Sequence, residues 1–243
     1  MSTSQLILGI DTCGPTGSIA LGRAAADAVE ILGQNELAGR SYSATLLSSV
    51  TEVLAAAGAE LRQLEAIVVV NGPGSFTGIR VGLSTAKGFA EGARIPLVAV
   101  SRLEVLAASA GVACAALDAH REEIYLRLAE LGLAEPGLTE PAAAPRELLA
   151  GAEELVALAP PARVAVCDES AARLLATAWP NAEELRVAAP TAADALRLCA
   201  ERVARHEFAD IEQLDAHYLR RSDAEIFGAE LTSQLAAAKP LRK

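Results

Sequence analysis

Asn71-Gly72-Pro73-Gly74-Ser75-Phe76-Thr77-Gly78-Ile79-Arg80-Val81-Gly82 is the stretch on which the fold turns. It follows Ala66-Ile67-Val68-Val69-Val70, a short apolar run of the kind that forms a strand buried on both faces. It leads into an apolar-periodic helix over about 79–91. A glycine-rich loop between a buried strand and a helix N-terminus is a place where backbone amides bind anions. The known phosphate loops do not match in detail. A dinucleotide fingerprint needs GxGxxG, and the third glycine here comes one place late; Lys87-Gly88 supplies neither the order nor the Ser/Thr of GxxxxGK[ST]. Nor does Pro73-Gly74-Ser75-Phe76-Thr77 give a GxSxG elbow. His120, His206 and His217 all lie in the other half of the chain, without the signature of a triad around Ser75. The plainer reading is a tight strand-to-helix turn whose glycines let backbones approach closely.

The helix after the loop carries a second signal. Gly78, Gly82, Ala86 and Ala90 recur every fourth residue and form a smooth strip on one face. Such a strip lets another helix pack close, either within the lobe or across an interface. The intramolecular candidate is a helix over 43–57, whose Leu46, Leu47, Val50, Val53, Leu54 and Ala57 share one face. Ser41 or Ser43 can cap it, and Gly58 closes it.

Working outward, Leu6-Ile7-Leu8-Gly9-Ile10-Asp11-Thr12 reads as a strand ending in Asp11, Ser18 to Gly22 as its return, and Val29 to Leu32 as a third. Pro96 to Val100 is another buried strand. Up to that last strand, the first hundred residues read βββαβα. The second half repeats that order. Ala115 to Asp118 opens it and Glu123 to Leu131 returns. A weak strand is placed at Leu138-Thr139, a helix at 146–157, a strand at 163–167, and helices at 170–179 and 192–206. The expectation is an α/β protein of two related lobes, 1–101 and 102–243, the second ending in a tail. Asp11 and Asp118, each ending a first strand, would then face one another across a cleft. Aspartates so placed hold the metal of a bound nucleotide through water, or simply cap strand ends.

Composition narrows the function. There are 21 Lys+Arg against 31 Asp+Glu, a net charge of −10, and only 4 Phe, 3 Tyr and 1 Trp. A chain that grips RNA alone needs a basic surface, usually with stacking aromatics. The tail from Tyr218 to Lys243 has 5 basic and 3 acidic residues, which fits RNA contact inside a complex or a frayed terminus. Cys13, Cys114, Cys167 and Cys199 show no CxxC spacing, no HxxxH or HxH occurs, and no metal ligand set is expected. The most apolar window, Leu103 to Leu117, is too short to span a bilayer. No secretory signal is read at the N-terminus, and reduced thiols in the cytoplasm are expected.

Five segments together resemble the TsaB (YeaZ) family. They are Ile10-Asp11-Thr12 with Gly17 to Leu21, Gly72 to Arg80, Leu117-Asp118-Ala119, Glu123-Ile124-Tyr125, and His217-Tyr218-Leu219-Arg220. The resemblance implies an actin-like ATPase (ASKHA) fold and a place in the bacterial machinery that makes N6-threonylcarbamoyladenosine in tRNA. It implies a non-catalytic paralogue of the transferase TsaD that pairs with TsaD, is joined by the ATPase TsaE, and forms homodimers when alone. On that reading tRNA is met only through the complex. ATP and magnesium serve the complex rather than binding this chain tightly, and Asp11 and Asp118 are its weak cofactor candidates. The HxxxH motif of the catalytic paralogue falls on Ser41-Tyr42-Ser43-Ala44-Thr45-Leu46, which has no histidine; Tyr42 stands there instead. The expected partner face is Leu47, Val50, Leu54, Gly78, Val81, Gly82, Thr85 and Ala86, with a Gly82→Arg variant expected to fold but lose TsaD. The competing expectation is a stand-alone ATP-binding transferase or glycoprotease-like hydrolase.

Overall fold

The computed structural model describes residues 5–25, 28–39, 41–129 and 145–220. The strand expected at Leu138-Thr139 and the tail beyond Arg220 lie outside them. The first unit runs β1 (Gln5–Asp11), β2 (Thr16–Ala24), β3 (Val29–Ala38), α1 (Tyr42–Ala56), β4 (Ala66–Val70), α2 (Phe76–Ala93), β5 (Leu97–Val100) and α3 (Arg102–Ser109). The second runs β6 (Ala115–Asp118), β7 (Glu123–Leu128), β8 (Arg146–Gly151), α4 (Ala152–Ala157), β9 (Arg163–Val166), α5 (Glu169–Ala178), β10 (Glu183–Arg186) and α6 (Ala192–Ala204). Each unit is βββαβαβα; beyond βββαβα, the strand at 96–100 and the helix at 192–206 were expected, and β10 was not.

Sheet topology makes the internal repeat explicit. The first sheet is ordered β3-β2-β1-β4-β5 and the second β8-β7-β6-β9-β10, the same arrangement in the same chain order. In both, three antiparallel strands are extended by parallel ones. Alternation along β1 and β4 divides the first core. Leu8, Ile10, Ile67 and Val69 face α1 and α2, where Leu46, Val50, Val53 and Leu83 meet them. Ile7, Val68 and Val70 face the other way, against Ala192, Leu196, Cys199 and Val203 of α6.

That second contact corrects the division into 1–101 and 102–243. The two closing helices are exchanged: α6 packs on the first sheet, while Leu103 and Leu106 of α3 pack on the second with Ala115, Leu117 and Tyr125. Gly9 makes the exchange possible, because a Cβ there would stand 2.8 Å from the Ala192 carbonyl oxygen. The stretch 146–157, expected as one helix, is a strand and then a helix. Arg146-Glu147-Leu148-Leu149-Ala150-Gly151 is made mostly of helix formers, but pairing with the edge of β7 outweighs that propensity. Among the described residues no helix is long and apolar enough to cross a membrane.

Candidate functional site

The lobes enclose a cleft of about 940 Å³, whose walls include Cys13-Gly14-Pro15, Gly74 to Gly78, Arg102, Leu117 to His120, Cys167-Asp168 and Arg220. Its floor is the turn after β1. Asp11 is fully buried, and one carboxylate oxygen accepts the Cys13 amide at 2.8 Å. The other faces Arg102 Nε at 3.6 Å. Arg102 is 6% exposed and begins α3, where the helix dipole opposes a cation. Burial pulls its pKa down, but Asp11, with smaller contributions from Cys13, Cys167 and Tyr42, more than restores it, so the guanidinium stays charged. The two charges face one another as a buried ion pair, with no hydrogen bond between Asp11 Oδ2 and Arg102 Nε.

The glycine-rich loop serves this floor with its backbone. Ser75 N donates to the Cys13 carbonyl at 2.8 Å, Arg102 N donates to Gly72 O at 2.7 Å, and Thr12 Oγ1 donates to Gly78 O at 2.7 Å. A Cβ at Gly78 would lie 2.0 Å from Thr12 O, and one at Gly82 would lie 2.2 Å from Thr12 Oγ1. Ser75 caps α2, accepting the Gly78 amide, so its hydroxyl is held by structure rather than poised for attack. Tyr42 closes the side of the turn, donating its hydroxyl to Gly14 O at 2.7 Å. Burial, with Asp11 nearby, pushes that phenol up to about 12.

Asp118 behaves differently from Asp11. It lines the cleft, but it accepts the His120 amide at 2.8 Å and lies 3.0 Å from His120 Nδ1, within a turn whose residues 120–122 all have positive φ. An actin-like fold implies a magnesium-bound nucleotide in this cleft. The residues present do not fit the metal: the carboxylate of Asp11 is sealed beneath Arg102, and Asp118 is committed to its own turn. The two thiols lining the cleft are not activated either, since burial raises the pKa of both Cys13 and Cys167.

A serine, a histidine and a carboxylate do meet elsewhere, a grouping the sequence spacing conceals. Glu147 Oε2 accepts Ser101 Oγ at 2.7 Å and lies 2.8 Å from His217 Nε2, while Oε1 accepts Arg127 at 2.9 Å. Hydrolytic triads place the histidine between serine and acid. Here serine and histidine both bind the acid, so the imidazole has no path to the serine proton.

The partner-face residues divide sharply. Val50, Leu54, Gly78, Gly82 and Ala86 are buried in the lobe's own core; Val81 and Thr85 are half-buried, and Leu47 is 57% exposed. The small-residue strip is thus turned inward, and Gly82→Arg would wreck the floor of the cleft rather than test an interface. The outward surface of α1 and α2 is the next strip round: Ser43, Leu47, Ser48, Thr51, Val81, Ser84, Thr85 and Gly88. A Cβ at Gly88 would meet nothing within 4 Å.

Fold and cleft define a two-lobed actin-like (ASKHA) protein built by internal duplication. The family model described as TsaD, tRNA N6-adenosine threonylcarbamoyltransferase, matches residues 33–163, just over half of the chain. A protein of Haemophilus influenzae described as tRNA threonylcarbamoyladenosine biosynthesis protein TsaB is 40% identical over 97 residues, 37% of this chain and 41% of that one. Its Escherichia coli counterpart, with the same description, is 35% identical over 125 residues, 49% of this chain and 52% of that one. The chain thus spans about half the length of the curated relatives it matches. The solved structure described as YeaZ from Pseudomonas aeruginosa superposes with a TM-score of 0.68 at 26% identity, covering 88% of this chain and all of that one. A second structure, an uncharacterised protein with similarity to peptidase YEAZ from Pseudomonas aeruginosa, gives a TM-score of 0.70 at 27% identity over 89% of this chain and all of that one. The chain belongs to the TsaB (YeaZ) family.

Proposed function

We propose that the chain is a non-catalytic assembly subunit in the biosynthesis of N6-threonylcarbamoyladenosine. With TsaD and TsaE it is required for transfer of threonylcarbamoyl to N6 of the adenosine 3' of the anticodon, in tRNAs that read codons beginning with A. It works in the cytoplasm, pairs with TsaD, forms a homodimer when TsaD is absent, and meets tRNA only through the complex. ATP and magnesium belong to that complex. The carrying observation is the buried pair of Asp11 and Arg102. Of the two aspartates expected to hold a metal under a nucleotide, Asp11 has its charge paired inside the chain.

The outward strip of α1 and α2 supports the partner role. It is small, bears an exposed leucine at Leu47, and is open at Gly88. Exposed apolar residues on a smooth helical face favour docking of another helix pair. The order of groups at Glu147 speaks against the hydrolase reading.

The test is reconstitution of tRNA threonylcarbamoylation from TsaD and TsaE with and without this chain. The modification should require it, and Leu47→Asp should fold normally yet fail to co-elute with TsaD. Full modification without the chain, or turnover of magnesium–ATP by the chain alone, overturns the proposal.

A further inference from the structure

Two lobes joined by a few connections move relative to one another unless the contact between them is extensive. Here the chain after α6 runs back across both. Ala209 N donates to Leu97 O at the edge of the first sheet, at 2.8 Å, and Ile211 and Leu214 pack on the core beneath α1 and α2. At the Asn71 loop the side-chain amide donates to Asp215 O at 3.2 Å, and His217 N donates to Asn71 O at 2.7 Å.

From that point the residues reach into both lobes. The His217 backbone is held by the first lobe while its imidazole binds Glu147 on β8 of the second, at 2.8 Å. Tyr218 turns back to the first lobe, where its ring stacks on Phe76 at 5.0 Å between centroids and its hydroxyl accepts Arg80 Nε at 3.0 Å. Leu219 packs on the core of the second lobe, and Arg220 binds Glu123 and the His120 carbonyl there. Glu147 also accepts Ser101 Oγ at the crossing between β5 and α3. The strap is thus anchored to the element that carries Arg102 across the cleft to Asp11.

We infer that His217 to Arg220 form a stitch that fixes the two lobes at one separation, so that the cleft of this chain neither opens nor closes. The glycine loop gives the stitch its seat: a Cβ at Gly72 would lie 2.7 Å from the His217 carbonyl oxygen. Phe76 and Arg80 have a use on this reading. They are the large exposed side chains of the glycine-rich segment, and they hold Tyr218.

Electron–electron distance measurement across the cleft tests the inference. Spin labels go on Arg62→Cys in the first lobe and Ala176→Cys in the second, both exposed. Cys167→Ser removes the half-buried thiol, and unlabelled protein dilutes the sample to suppress distances between copies. The parent should give one narrow distance. A His217→Ala, Tyr218→Ala double variant that keeps its circular dichroism should widen it about twofold or add a second distance, as for lobes free to move. A broad or two-peaked parent distribution overturns the inference, as does a folded double variant with the parent's width. Should the double variant not fold, the parent distribution and Arg220→Ala decide in the same terms.

Discussion

Gly82 and Gly88 lie on the same helix, and the same substitution should move stability in opposite directions. A methyl at Gly82 collides with the Thr12 hydroxyl, while at Gly88 it meets open space. Gly82→Ala should cost about 1–3 kcal/mol through overpacking. Gly88→Ala should gain about 0.5–1 kcal/mol, because glycine inside a helix wastes backbone entropy. Urea unfolding midpoints of the two variants against the parent give both signs. Spacing alone placed the small-residue strip of α2 correctly as a strip, but spacing is silent on which side of a helix faces the sheet. Arg102 escaped notice for a related reason. A cation in the first turn of an apolar helix is electrostatically misplaced, which is a signal of a buried partner, yet the partner lies far away in sequence at Asp11.

At the scale of elements, β8 is the informative case. Its Glu147 is partly buried, which on its own raises a carboxyl pKa. Hydrogen bonds from His217, Ser101 and Arg127 outweigh this and hold it below its ordinary value. A carboxyl so lowered adds stability that is complete above the unfolded value and is lost as pH falls through the folded one. Glu147→Gln should therefore flatten the loss of stability as pH falls from about 5 through the folded value, measured by urea midpoints, relative to the parent. An unchanged slope would mean that the cluster adds no proton-linked stability. The long periodic helices α1, α2 and α6 and the buried strands β1, β4, β5 and β9 were legible from apolar pattern and turn residues. β8 was not, because its residues favour a helix locally and only the β7 edge makes them a strand. β10 was missed for a similar reason: Glu183-Glu184-Leu185-Arg186 has no strand pattern, and pairing with β9 supplies one.

For the whole molecule, the exchanged helices set what counts as a folding unit. A fragment of residues 1–101 carries a complete first sheet but leaves Ile7, Ala20, Val68 and Val70 uncovered where α6 belongs. It should be insoluble or lack cooperative unfolding. The same fragment with residues 191–204 supplied in trans as a peptide should recover a cooperative transition, read by circular dichroism. A fragment that melts cooperatively by itself would show that the exchange is dispensable. The duplication was legible in the order of elements, and the exchange was not, since nothing in an amphipathic helix names the sheet it will cover.

The exchange also sets an order of events on the ribosome. The first sheet is synthesised early, but its second face stays bare until Leu196, Cys199 and Val203 have emerged. At translation speeds of about 5–20 residues per second, that delay lasts on the order of 5–20 s. During it, an apolar surface made of strands is open to other nascent chains. A cell making this protein quickly therefore has reason to shield its first half, and slowing translation over residues 100–190 should lower the yield of folded protein rather than raise it.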